Sequence, residues 1–106
     1  MEIHNIDDMF GGWFIGNFKP SIYVTDNFEV GYKRYSTGDR EPNHFQNIAT
    51  EITLIISGTA RIGNQIVNPG SLVIIPPKEK ADFEAITDVS LIAIKFPSIP
   101  SDKVIS

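Results

Sequence analysis

The sequence predicts an all-β domain, a sandwich or barrel of many short strands. Three observations carry that prediction. Apolar side chains nowhere recur at i, i+3, i+4 and i+7 over a length that would make a helix. β-Branched runs are instead cut by turn signals (Gly38-Asp39, Gly63-Asn64, Asn68-Pro69-Gly70, Pro76-Pro77, Thr87-Asp88) every eight to twelve residues or so. Two stretches, 28–36 and 81–86, alternate in side-chain character, as half-buried strands do.

Residues 1–27 form an arm. Phe10, Trp13, Phe14, Ile15 and Phe18 are interleaved with Gly11, Gly12 and Gly16. The glycines break any helix, and so many apolar side chains do not stay in water. A strand-like arm follows, packed on its own barrel or on a second subunit whose sheet edge it covers. Residues 28–96 are the barrel core. Its first strand puts Phe28, Val30 and Tyr32 on one face and Glu29, Lys33 and Tyr35 on the other. After the turn at 36–39, Pro42 precedes His44. Residues 51–57 are dense in β-branched side chains and stop at Gly58. Gly63-Asn64 suits a tight hairpin between 60–62 and 65–67. Leu72 to Ile75 is stopped by Pro76-Pro77, and Val89 to Phe96 is the last strand. Pro97 and Pro100 are expected to bar further regular pairing, which leaves 97–106 as a C-terminal tail.

Composition narrows the function classes. A net charge of −4 with nine Lys and Arg offers no basic surface for a phosphate backbone, so nucleic acid is not an expected partner. No apolar run reaches the ~20 residues that cross a bilayer, so no membrane partner is expected. Residues 1–8 carry acidic side chains where a secretory leader would be basic and then apolar. With no cysteine there is neither a disulfide nor a thiolate metal site, and a cytoplasmic location is the expectation.

The chain also resembles the cupin superfamily, small double-stranded β-helix (jelly-roll) barrels. The first cupin motif, G-x5-H-x-H-x3,4-E-x6-G, is met by Gly38, His44, Glu51 and Gly58, with Gln46 at the second histidine. The second, G-x5-P-x-G-x2-H-x3-N, is met by Gly70 and Pro76, but Lys78 stands at the glycine, Ala81 at the histidine and Ala85 at the asparagine. The resemblance spans roughly residues 28–96. It implies a cupin barrel, a habit of homodimerisation, and an eroded metal site in which His44 and Glu51 match, Gln46 is a neutral oxygen donor and Ala81 gives no ligand.

Alternation places His44 and Gln46 on one face of their strand, and Glu51, Thr53 and Ile55 on one face of the next. If that face is the interior, Glu51 is costly unless something relieves it. A metal ion, a protonated His44 or a ligand's donors would do so. A His44–Glu51 hydrogen bond with Gln46 alongside would be a polar cluster satisfied in itself. The small Ala81 opens space, to be either lined or filled by Phe83 or Ile55, and Tyr32 or Tyr35 is the candidate hydroxyl in the wall. The expected function is therefore binding of a small polar metabolite, a carbohydrate or carboxylate. The alternative is a metal-dependent cupin enzyme of isomerase, epimerase or dioxygenase type, in which His44, Gln46 and Glu51 hold Zn, Mn, Fe or Ni. The resemblance also implies a metal-free route with a histidine base and a tyrosine acid. The residues alone leave binding and catalysis both open.

Overall fold

The computed structural model describes residues 1–106. Two short 3-10 turns, Ile6–Asp8 and Phe10–Gly12, lead into eleven strands. In chain order these are β1 (Trp13–Gly16), β2 (Tyr23–Val24), β3 (Glu29–Tyr35), β4 (Arg40–Gln46), β5 (Thr50–Ser57) and β6 (Ala60–Ile62). Then follow β7 (Gln65–Val67), β8 (Leu72–Ile75), β9 (Ala81–Ala85), β10 (Val89–Phe96) and β11 (Lys103–Ile105). From β3 onward the chain winds between two sheets, ordered β2-β1-β3-β10-β5-β8 and β11-β4-β9-β6-β7. Such winding is the double-stranded β-helix. No helix is long and apolar enough to cross a membrane.

The inner faces of the two sheets divide the interior. In one half, Ile55, Ala60, Val67, Phe83, Ala85, Val89, Leu91 and Ala93 form the apolar core, with Ile55 fully buried. Enclosing such a side chain stabilises the fold by about 2 kcal/mol. The other half is polar, and the candidate site lies there. The strand from 28 to 36 shows why the two halves differ. Its inward face carries Glu29, Gly31, Lys33 and Tyr35, paired with Lys95, Ala93, Leu91 and Val89 of β10. Its more apolar face, Val30 and Tyr32, points outward. Glu29 is kept inside by the Ser98 hydroxyl, which donates to its carboxylate at 3.0 Å.

Two expectations about the ends are decided by the pairing. The arm packs on its own barrel: β1 runs antiparallel to β3 and parallel to β2. The tail is not free of regular pairing. Pro97 ends β10, but the chain turns back and β11 pairs with β4, Lys103 opposite Gln46. A proline removes only its own N–H, so pairing resumes once the turn is made. Asp102 fixes that return. Its buried carboxylate accepts the backbone N–H of Ile48 at 3.0 Å and of Ala49 at 2.8 Å.

The turn from β8 to β9 supports the alignment of the second motif. Lys78, at the motif's glycine position, is the one non-glycine residue with positive φ, at 69°. Its N–H donates to Gln46 O at 2.7 Å, which ties the turn to β4. The backbone keeps the shape glycine would allow, although the residue is lysine. Lys78→Gly should therefore stabilise the chain by about 1 kcal/mol, because a left-handed conformation costs an L-residue roughly that much. A urea or thermal melt reads the gain; a loss would mean that the lysine side chain holds the turn.

Candidate functional site

The polar half of the interior encloses a cavity of about 190 Å³. On the β4 side it is lined by Glu41, His44 and Gln46, and on the β5 side by Glu51 and Thr53. Ala81 and Phe83 of β9 close one wall, while Tyr35 and Trp13 close another. The space exists because Ala81, the direct register partner of His44, brings only a methyl group.

His44 Nδ1 lies 2.8 Å from Pro42 O. A carbonyl only accepts, so Nδ1 carries the hydrogen and the free electron pair of a neutral imidazole is at Nε2. The contact expected between His44 and Glu51 does not form; Glu51 makes neither a hydrogen bond nor an ion pair within the chain. Gln46 is 4% exposed, and its Nε2 is buried with no hydrogen-bond partner. An orphaned buried amide is uncommon, since leaving such a group unsatisfied costs about 1–3 kcal/mol.

Tyr35 packs against Phe83 with ring centroids 4.5 Å apart and the rings tilted by 39°. Burial, then the nearby Glu41 and Glu51 carboxylates, push its hydroxyl far above the ordinary phenol range, so it remains a donor. Trp13 lies on Gly31, where an added Cβ would come within 2.8 Å of the indole. Lys33 Nζ is 5.6 Å and Lys95 Nζ 4.9 Å from the centroid of that ring. Burial lowers the Lys33 ammonium pKa, with Glu41 opposing and Lys95 and Lys103 adding to the effect. The Lys33 ammonium also donates to Gly11 O at 3.0 Å.

Most of the residues singled out from sequence meet here: His44, Gln46, Glu51, Tyr35, Thr53, Ala81 and Phe83 all line the cavity. Two do not. Tyr32 faces outward, with Arg34 5.7 Å from its ring centroid, because the inward face of β3 is the one bearing Tyr35. Ile55 faces inward but belongs to the apolar core, two inward positions beyond Glu51. Sequence reasoning missed Glu41, Lys33, Lys95 and Lys103. Glu41 stands an odd three residues from His44, which on a regular strand puts the two on opposite faces. The register slips between them: Glu41 pairs with Phe83 and His44 with Ala81, so a bulge brings both inward. Pro42, between them, is the signal for that break. The lysines gave no such signal, since charged side chains are ordinarily placed outside.

A resident transition metal does not fit these donors. No three His, Cys, Asp or Glu side chains come together to hold an ion. One imidazole, one carboxylate and an amide fall short of the ligand sets that bind such ions tightly.

No family model and no curated protein matches the chain. Among solved structures it is similar to an uncharacterized conserved protein with a double-stranded β-helix domain from Klebsiella pneumoniae, at 15% identity and TM-score 0.73, over 98% of this chain and 90% of that one. An RmlC-like cupin protein from Desulfovibrio desulfuricans matches at 18% identity and TM-score 0.64, over 74% of this chain and 79% of that one. The DMSP lyase DddQ from Ruegeria pomeroyi matches at 16% identity and TM-score 0.74, over 89% of this chain but 49% of that one. These likenesses show the fold: the chain is a double-stranded β-helix barrel like those of the cupin structures it resembles.

Proposed function

We propose that this cupin barrel is a cytoplasmic protein that binds a small polar metabolite, a carbohydrate or a carboxylate, in the cavity between β4 and β5. The observation that carries the reading is Gln46 Nε2, a buried donor with no acceptor in the chain, beside a Glu51 carboxylate with no donor. A ligand rich in oxygen and hydroxyl groups gives Glu51 its donors, and a turn of the Gln46 amide toward the cavity brings Nε2 to one of its oxygens. The thermal-shift response to sugars, sugar nucleotides and organic acids tests it. A hit should lose about ten- to a hundredfold in affinity on Glu51→Gln, the worth of a hydrogen bond to a charged group. A hit indifferent to that change would place the ligand elsewhere.

A second reading, a metal-free acid–base enzyme, draws support from His44 and Tyr35. The imidazole is held with Nε2 as an available base, and the phenol is held protonated in the same cavity. Under it, Tyr35→Phe would spare ligand binding and stop conversion, as product analysis after prolonged incubation would show. The metal-dependent alternative has less support, because Ala81 and Gln46 replace two imidazoles.

The partner in the proposed function is a second copy of the chain. Two apolar rows cross the outer face of the larger sheet. Leu72, Leu54, Ile92 and Tyr32 form one, and Ile74, Ile52, Ile94 and Val30 the other. Leu72 and Ile74 are 73% and 65% exposed. Contiguous apolar area of this kind is rare on a monomer. A flat sheet face also suits a two-fold contact with its own copy. Sedimentation of Leu54→Arg as a monomer against a wild-type dimer would support the assignment; a monomeric wild type would remove it.

A further inference from the structure

We propose that the ligand is a hydroxylated carboxylic acid, its carboxylate seated on Lys33 and Lys95 beside Trp13 and its hydroxyls facing Gln46, Glu41 and Glu51. The inference rests on the cavity reading above and narrows it to one chemical class.

The cavity wall carries both signs of charge: Lys33, Lys95 and Lys103 share it with Glu41, Glu51, Glu79 and Asp82. Lys33 and Lys95 rise from the inward faces of adjacent strands, β3 and β10, and both ammonium groups lie against one indole. Lys103 of β11 joins them from the opposing sheet. None of the three forms an ion pair, even though Lys95 is the direct register partner of Glu51. Lys33 and Lys95 are half-buried, so their ammonium groups lose hydration and repel each other, with the exposed Lys103 adding to the repulsion. An anion relieves both costs through charge-assisted hydrogen bonds, and a carboxylate presents two oxygens for two ammonium groups. A neutral sugar would leave these ammonium groups without an ion pair.

The remaining polar groups decide what the rest of the ligand carries. Glu41 and Glu51 accept, so they call for donors. Gln46 Nε2 donates, so it calls for an acceptor. A hydroxyl is both. An ammonium group would suit the carboxylates but leave the Gln46 donor orphaned, which argues against a zwitterion. The cavity of about 190 Å³ equals about six waters at ~30 Å³ each, room for a five- or six-carbon acid.

Trp13 is the only tryptophan in the chain and lines the cavity, so its fluorescence reports occupancy. Three six-carbon probes separate the alternatives at fixed ionic strength: gluconate, sorbitol and 6-aminohexanoate. Gluconate should change Trp13 emission saturably and bind at least tenfold more tightly than either of the others. Lys95→Met, which keeps the apolar stem, should erase that advantage, and Lys33→Met serves if Lys95→Met melts early. Equal binding of gluconate and sorbitol, both weakened by Glu51→Gln, would overturn the carboxylate seat while leaving a polar-metabolite pocket standing. Tightest binding of 6-aminohexanoate would overturn the hydroxyl assignment. Silence of all three probes would overturn the hydroxy-acid class, and the thermal-shift screen would then decide separately whether the cavity binds any metabolite.

Discussion

The double variant Gln46→His with Ala81→His should bind Zn or Ni at least a hundredfold more tightly than the wild-type chain. Both positions line the cavity, and Ala81 is the register partner of His44. His44 already has the arrangement a metal ligand needs. Its Nδ1–H is held by Pro42 O at 2.8 Å, so Nε2 is free to coordinate. With Glu51 across the gap, the variant offers three imidazoles and a carboxylate. Loss of a partner that merely supports a ligand costs about 10–100-fold in affinity, and two whole ligands are worth at least that each. Isothermal titration of chelator-treated protein reads the gain. A double variant that folds but binds no better than wild type would mean that residues 46 and 81 do not converge.

Gly58→Ala should destabilise the chain by about 3 kcal/mol or more. Gly58 ends β5 with φ at 81°, a conformation that costs an alanine about 1–2 kcal/mol. Its added Cβ would also fall 1.9 Å from Asp88 O. A backbone carbonyl cannot swing aside as the end of a side chain can, so the turn into β6 must shift against β10. Gly38→Ala provides the comparison. Gly38 has φ at 89°, yet nothing lies within 4 Å of the added carbon, so only the conformational cost applies. A domain of this size loses about 4–8 °C per kcal/mol, which gives a fall of roughly 12–24 °C for Gly58→Ala and roughly 4–16 °C for Gly38→Ala. Equal melting temperatures for the two variants would remove the collision from the account.

Much of the barrel was legible because its punctuation is local. The run from Val89 to Phe96 is bounded by Thr87-Asp88 and by Pro97, and the structure gives β10 those same limits. His44, Gln46 and Glu51 were found because period-two alternation puts them inward wherever the strand is regular. Glu41 was hidden because the strand is not regular there. The choice between Tyr32 and Tyr35 could not be made from alternation, which says that two faces differ but not which one is wet. Ile55 illustrates a further limit. It shares a face with Glu51, but four residues at about 3.3 Å each carry it out of the cavity and into the core. The lysines around Trp13 were missed because the inward face of β3 runs from a buried acid to an aqueous wall, and composition cannot mark that transition.

The positions that shape this backbone and those that face its cavity are different residues. Gly38, Gly58, Gly70 and Lys78 are among the positions that hold left-handed turns, whereas Gln46 and Ala81 hold none. A lineage built on such a barrel is free to drift at 46 and 81, gaining or discarding an ion or exchanging one guest for another, without having to solve its folding again. The turns are the inheritance of such a chain, and the chemistry is its variable part.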